Sequence, residues 1–295
     1  MKEEKLDALI FIDTNIMLDF YRIRKSDISM KYLEQIESHI DLIITSSQVE
    51  MEFKKNRQST ILESIGEINK INNVNLNIPA ILSTNKSVEI IKKSKKEIDL
   101  RQKKLKEQIE RILTSPKTHD PVYKSLQKLF SNKTKINLNR ENSLRFEIRN
   151  LAKKRFILGY PPRKKSDNSI GDSVNWEWLI KCSQITGKHI IIVSRDGDFG
   201  ATYDNNSYLN DWLQQEFRQR VGARKKIILT EKLSHAFKLV QIPVTPEMIE
   251  EEENIIKFSF EDSQKRIKES MKALAEIVKS NYNFKDIIKN SEFPK

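Results

Sequence analysis

Three acidic clusters occupy positions where chemistry is expected: Asp13 in Asp13-Thr14-Asn15, Asp172 after Gly171, and Asp196-Gly197-Asp198. The first follows the apolar run Ile10-Phe11-Ile12 directly, and the last follows the apolar run Ile190-Ile191-Ile192-Val193 after Ser194-Arg195. Clustered carboxylates repel one another, and a hard divalent cation neutralises them. Mg²⁺ and Mn²⁺ prefer oxygen ligands, keep several waters and take substrate phosphates into their shell. In phosphodiester hydrolysis such an ion lowers the pKa of an attacking water and stabilises charge on the leaving oxygen. The residue types therefore point to a metal-dependent reaction on an anionic substrate. Taken singly each has a plainer reading: Asp13-Thr14-Asn15 as a turn and helix cap, Asp196-Gly197-Asp198 as a loop with local bonds, Asp172 as a charge at a helix start.

Joint use requires a fold that brings these positions together. Leu9 to Ile12 reads as a buried strand, Ile28 to Ser38 as a helix, and Leu42 to Thr45 as a second strand. Ser46 or Ser47 caps a following helix with Val49 and Phe53 on one face. The strand signal then disappears to about Asn150. In this stretch Ile91, Ile98 and Leu105 mark a narrow apolar seam on a long basic helix, predicting a partner helix in the same insertion or in a second protomer. After Gly159-Tyr160-Pro161-Pro162 a lysine-rich loop leads to a helix carrying Val174, Trp178 and Leu179. Lys188 to Ser194 is a strand, Asp204 to Ser207 a polar turn, Leu209 to Val221 a helix, Lys226 to Leu229 a strand, and Thr230 caps a helix through Val240. This alternation predicts an α/β domain with a parallel sheet, whose strand ends meet in one crevice. Pro243 and Pro246 mark a boundary before an amphipathic helix over Glu247 to Ser280. The expected division is a domain over 1–245, a helical insertion at about 58–150 and a helical extension over 246–295.

The chain has 295 residues with 53 Lys and Arg against 41 Asp and Glu, a formal charge of +12 that favours polyanionic partners. Eight bases lie between Lys92 and Lys106 (Lys92, Lys93, Lys95, Lys96, Arg101, Lys103, Lys104 and Lys106) against Glu97 and Asp99. A second basic stretch ends in Arg163, Lys164 and Lys165. Cys182 is the single cysteine, so no intramolecular disulfide forms. No apolar run reaches the length of a membrane span, and the amino terminus lacks the apolar segment of a signal peptide. The expectation is a cytoplasmic protein without a membrane partner.

Four segments resemble the motifs of PIN-like nucleases in order: Phe11-Ile12-Asp13-Thr14-Asn15-Ile16-Met17-Leu18 with Tyr21-Arg22; Gln48-Val49-Glu50-Met51-Glu52-Phe53; Gly159-Tyr160-Pro161-Pro162 with Gly171-Asp172; and Val193-Ser194-Arg195-Asp196-Gly197-Asp198-Phe199. The resemblance implies a three-layer α/β/α PIN-like fold with a central parallel sheet, in the subgroup with a large helical insertion. It also implies a nuclease dependent on Mg²⁺ or Mn²⁺, with RNA ahead of DNA as substrate. Asp13, Glu52, Asp172 and Asp196 would form the acidic site, with Asp198 close to it. Ser194 matches a hydroxyl that accompanies the site, and Asn15 would orient Asp13 or a water of the cation. Periodicity alone leaves Glu50 and Glu52 equivalent, since both flank the Val49/Phe53 face. The resemblance selects Glu52.

The leading expectation is an endoribonuclease, with the basic helix Lys92–Lys106 and the Arg163–Lys165 loop holding the backbone, and with a toxin, phage-defence or processing role and a protein regulator compatible with it. The competing expectations are a DNA-directed nuclease and a non-catalytic nucleic-acid-binding or assembly module. Phosphoryl-enzyme chemistry at Asp13 is disfavoured, because Asn15 stands where the general acid of such phosphatases is found. Other features read as structural: Trp176 and Trp178 as packing, Cys182 as a buried small hydrophobe, His119-Asp120 as a turn, and Glu250 to Glu253 as a solvated helix face.

Overall fold

Strand β1 (Ala8–Ile12) is apolar at each of its five positions and buried throughout, the pattern of a parallel strand covered on both faces. The computed structural model describes residues 5–70, 78–82, 84–162, 169–204, 206–258, 268 and 270–272. From β1 the chain passes through α1 (Thr14–Asp19) and α2 (Ser26–Ser38) to β2 (Ile43–Ser46), then α3 (Ser47–Lys70), α4 (Lys86–Thr114), α5 (Pro116–His119) and α6 (Pro121–Ser131). Next come β3 (Asn137–Leu138), α7 (Arg145–Ile157), α8 (Gly171–Thr186) and β4 (His189–Val193). A hairpin of β5 (Gly200–Tyr203) and β6 (Asn206–Leu209) precedes α9 (Asp211–Val221), β7 (Ile227–Thr230), α10 (Leu233–Leu239) and α11, helical over 246–258.

The main sheet has five strands in the order β3-β2-β1-β4-β7, all parallel. The chain leaves β1 toward β2 on one side and returns to β4 on the other, so the topological switch point lies between β1 and β4. In parallel open sheets the crevice beyond the strand carboxyl ends at this point is where ligands bind. Register fixes what lies there. Ile12 pairs with Val193, Asp13 N donates to Val193 O at 2.9 Å, and Ser194 N donates to Thr230 O at 3.0 Å.

Helices cover both faces, giving the three-layer α/β/α arrangement. Burial of Ile28, Tyr32, Leu33 and Ile36 gives α2 its apolar stripe, and Tyr32 packs on Phe237 of α10 and donates to Met248 O of α11 at 2.9 Å. Helix α3 buries Val49, Phe53, Arg57, Thr60 and Ile61, while α8 is buried nearly all round and hydrogen-bonds β2 and the segment before β3 through Trp178 Nε1. Trp176, Trp178 and Cys182 are core residues, as expected.

Several expectations are corrected. The stretch at 58–150 is not free of strand: β3 extends the sheet from within it, and α6 buries Leu126, Leu129 and Phe130 in the main core. A two-residue strand lacks the length to leave a period-2 signal. Residues on either side of Asp204 form a hairpin, missed because its outward face is polar and aromatic. Glu250 to Glu253 is only in part a solvated face: Glu250 is exposed and Glu253 partly so, but the two acids between them are buried. Glu251 is buried against Lys25, and Glu252 accepts from Leu233 N at 2.5 Å and Ser234 N at 3.1 Å. That carboxylate, rather than Thr230, satisfies the first N–H groups of α10. Of the expected extension, the described part begins with α11, whose Met248 belongs to the main core.

Asp120 belongs to a buried ionic knot. It caps α6 through Tyr123 N at 2.9 Å, and its other oxygen accepts from Tyr21 OH at 2.7 Å and pairs with Arg57 Nη2 at 2.6 Å. Arg57 also reaches Ile112 O at 2.7 Å, tying the end of α4 to α3. Desolvation and the neighbouring Asp120 charge hold the Tyr21 phenol well above its usual range. Removing one partner of a buried pair strands the other charge, so Asp120→Ala is expected to lower unfolding free energy by about 3–5 kcal/mol. Urea denaturation followed by circular dichroism measures this.

Candidate functional site

Asp13 leaves β1 directly into the switch-point crevice and is 8% exposed. Its Oδ1 accepts from Thr14 N at 2.6 Å, so the helix-cap reading is correct as far as it goes. Its Oδ2 accepts from Ser194 Oγ at 2.5 Å and from Asn15 Nδ2 at 3.0 Å. Ser194, at the end of β4, also accepts from Asp196 N at 3.0 Å, which curls the Asp196–Asp198 loop back over the strand end. Two strand ends separated by more than 180 residues in sequence thus share one hydrogen-bonded unit.

Glu52 enters the same crevice from α3. Its Oε1 accepts from Gln48 Nε2 at 2.7 Å and its Oε2 from Thr14 Oγ1 at 3.2 Å. Glu50 points elsewhere and pairs with Lys54 at 2.6 Å, so the geometry separates two residues that periodicity left equivalent. Gly171 opens α8 directly against Glu52: a Cβ there would lie 2.3 Å from Glu52 Oε1 and 2.9 Å from Gln48 Nε2. Any larger residue would force the Glu52 and Gln48 side chains to shift, and the bare glycine leaves the Glu52 carboxylate at the amino-terminal end of α8, where a helix favours negative charge. Asp172 follows in the first turn of α8, and Asp198 lies partly buried two residues beyond Asp196.

The electrostatics set Asp13 apart from most buried acids. Asp19 has Arg22 and Arg195, Asp120 has Arg57, Glu177 has Arg155 and Arg220, and Glu251 has Lys25, while Glu252 is held by Tyr32 and the first N–H groups of α10. The hydrogen-bond partners of Asp13 are all neutral. Burial pushes its carboxyl up to about 6, the Ser194 and Thr14 hydrogen bonds oppose that rise, and the Asp196 and Glu52 charges add to it. Such a group suits a cation. Asn15 Oδ1, buried without a hydrogen-bond partner among the described residues, adds a neutral oxygen beside it. Among the described residues no three His, Cys, Asp or Glu side chains converge into a ready-made metal cage. Mg²⁺ sites commonly use one or two carboxylates, with waters and substrate oxygens completing the shell.

Of the basic residues, Lys92, Lys93, Lys96, Lys103 and Lys104 lie exposed on α4, and Lys95 is partly exposed. Arg101 is exposed and paired with Glu97 at 3.5 Å. The seam residues Ile91, Ile98 and Leu105 remain 42%, 44% and 46% exposed. Arg163, Lys164 and Lys165 lie outside the described residues. Residues to which sequence reasoning gave no role of their own are Thr14 and Gln48, which donate to Glu52, Gly171, which leaves room for it, and Asp19, which pairs with Arg195 next to Asp196. The Gly171-Asp172 dipeptide was a visible signal for the first group. Nothing in the sequence announced the Asp19–Arg195 pair.

Because the folded-state pKa of Asp13 lies above its ordinary value of 3.8, the native state binds extra protons between about pH 4 and 6. Stability is therefore lost as pH rises through that window, and the loss persists above it, on the order of 3 kcal/mol. Asp13→Asn is expected to raise the melting temperature of the metal-free protein by several degrees at pH 7.5, with the difference vanishing near pH 4. Mn²⁺ should raise the melting temperature of the wild type and leave Asp13→Asn nearly unchanged. Differential scanning fluorimetry across pH, with and without Mn²⁺, tests both statements.

A PIN domain family model matches residues 10–199, which includes the end of β1, the α3 carboxylate, the start of α8 and the Asp196–Asp198 loop. No curated protein and no solved structure matches the chain. PIN domains are typically metal-dependent nucleases. With the matched region covering most of the chain and the switch-point acids at its two ends, this protein belongs to the PIN domain family.

Proposed function

We propose that the protein is an endonuclease hydrolysing RNA with Mg²⁺ or Mn²⁺, using Asp13, Glu52, Asp172 and Asp196 as its acidic site and Asp198 beside them. The observation that carries this reading is the uncompensated Asp13 carboxylate, held at the β1/β4 switch point by neutral donors with Glu52 and Asp196 near enough to raise its pKa. When bound, the cation would supply Lewis acidity toward a phosphate oxygen and offset the carboxylate charge. The chain's own residues do the positioning. Ser194 and Asn15 fix Oδ2 of Asp13, Thr14 N fixes Oδ1, and Gln48 and Thr14 fix Glu52. In-line attack by water would leave a 5′-phosphate and a 3′-hydroxyl.

The exposed bases of α4, together with Arg163, Lys164 and Lys165, would hold the phosphate backbone without reading sequence, in contacts that weaken as salt rises. The exposed seam of α4 supports self-association or a regulator at the insertion. A cytoplasmic toxin, phage-defence effector or processing enzyme would all use this chemistry.

Cleavage of end-labelled single-stranded RNA in Mn²⁺ is expected for the wild type. Asp13→Asn and Asp196→Asn should each lose at least about a hundredfold, and Ser194→Ala, which only orients Asp13, about tenfold. Activity equal to wild type in both aspartate variants would sink the assignment. Salt-sensitive RNA binding with no metal-dependent turnover would favour the non-catalytic module instead, and preferential cleavage of DNA the DNA-directed enzyme.

A further inference from the structure

The three tryptophans are placed unequally: Trp176 and Trp178 are sealed in α8, whereas Trp212 is 48% exposed. Trp212 stacks on Tyr160, itself 41% exposed, with ring centroids 5.3 Å apart and planes inclined by 25°. Two more exposed aromatics lie on the adjoining hairpin. The pairing of Ala201 with Tyr208 puts Tyr203 and Tyr208 on one face, and they are 77% and 56% exposed. Single exposed aromatics are ordinary, but a stacked exposed pair is less so, and here its Trp212 follows in sequence a hairpin that carries two others.

The stack is tied to both loops that carry the switch-point acids. Tyr160 belongs to the turn preceding the segment that leads to Gly171-Asp172. Its N–H donates to Arg155 O at 3.1 Å, and Arg155 donates to Pro161 O. Arg155 is buried between Glu177 and Glu216, so the turn is braced from within. Trp212 begins α9. The Asn210 side chain accepts from Trp212 N at 3.0 Å, and Asn210 N donates at 2.9 Å to the carbonyl of Phe199, the residue after Asp198. The backbone carrying each ring is thus held by hydrogen bonds to its neighbours, which lowers the ordering cost of binding there.

We propose that the Tyr160–Trp212 stack is a base-stacking platform that delivers single-stranded nucleic acid to the acidic crevice. The proposal rests on the nuclease reading above and adds the surface on which the bases of the substrate are held. Flat exposed π faces fit nucleobases, and the chain's charge of +12 fits a polyanion rather than a basic or neutral partner. Bases in a duplex already stack on one another, so only a single strand can offer them to such a platform.

Because the other two tryptophans are buried, Trp212 reports on the platform directly. Full-length Asp13→Asn protein in EDTA is titrated with a short fluorescein-labelled single-stranded oligoribonucleotide, its deoxy counterpart, a duplex of the same sequence, and heparin. Tryptophan emission, iodide accessibility and label anisotropy are followed. The single strands should quench Trp212 and shield it from iodide, while duplex and heparin do neither. Trp212→Ala and Tyr160→Ala should each weaken single-strand binding about tenfold, and Trp212→Tyr, which keeps an aromatic face, should retain most of it. Single-strand binding seen by anisotropy with Trp212 unquenched and open to iodide overturns the proposal and assigns the patch to another occupant, such as a protein. Equal quenching by duplex or heparin, or unaltered binding by both alanine variants, overturns it too. Metal-dependent cleavage that persists unchanged in Trp212→Ala and Tyr160→Ala leaves the nuclease standing and removes the platform. Single-strand quenching of Trp212 without any metal-dependent cleavage does the reverse.

Discussion

A carboxylate buried among neutral donors is an unstable thing to build, and the centre of this protein is organised around one. Asp13 sits where two parallel strands end side by side, stripped of water and satisfied only by a backbone N–H, a hydroxyl and an amide. These donors fix its orientation without neutralising it. Asp196 and Glu52 then add negative charge to the same place. Asp19, Asp120 and Glu177 each have an arginine, whereas Asp13 has none. Withholding one leaves a charge deficit in the folded chain that a divalent cation can fill, which is how a site comes to be stable mainly in its working state.

The arginines withheld from Asp13 are spent on the surrounding frame. Arg195 pairs with Asp19 and so fastens the loop bearing Asp196 to α1. Arg57 and Asp120 fasten α3, and with it Glu52, to the start of α6 and the end of α4. Arg155, Glu177, Glu216 and Arg220 bind α7, α8 and α9 into one unit behind the start of α8. Each network meets one of the elements that carries a site residue. Buried ion pairs add little net stability compared with apolar packing, but they fix orientation strongly, because any displacement leaves a charge unpaired. Their placement suits a crevice whose acids must hold position while repelling one another.

Much of this was legible in the residues. Continuous apolar runs at Leu9–Ile12 and Ile190–Val193 announce parallel strands, and parallel strands bring their ends together, so the meeting of Asp13 with Ser194 and Asp196 follows from pattern and topology. Glu52 was not legible from periodicity, because Glu50 is as close to the Val49/Phe53 face. The distinction comes from Gly171, whose missing side chain lets Glu52 approach α8, a contact between residues more than a hundred apart. The ionic frame was invisible for the same reason: an arginine in sequence is a surface base until a distant acid is shown beside it. Strand β3 and the hairpin escaped because two residues, or an outward face of tyrosines, carry no burial pattern. Glu252 was misread because an acidic run on a helix is normally solvated, and here its partner is the start of another helix.

The distribution of charge also constrains how a nucleic acid can be held. The exposed bases of α4 lie along a helix anchored to the domain near Ile112, and at 1.5 Å per residue Lys92 is about 30 Å along that helix from the anchor. Such a strip can draw in and hold a polyanion, but it is not where the carboxylates are. Close to the crevice the local field is set by acids, and a phosphate backbone approaching them is repelled until a cation intervenes. Affinity at that point is better supplied by contacts that carry no charge. Stacking of bases on Tyr160 and Trp212 meets this requirement, since it is largely indifferent to the field of the acids and to sequence. Basic residues at a distance and aromatic faces at the rim would then divide the work: the first sets how readily a strand arrives, and the second sets which strands can settle with a phosphodiester over Asp13.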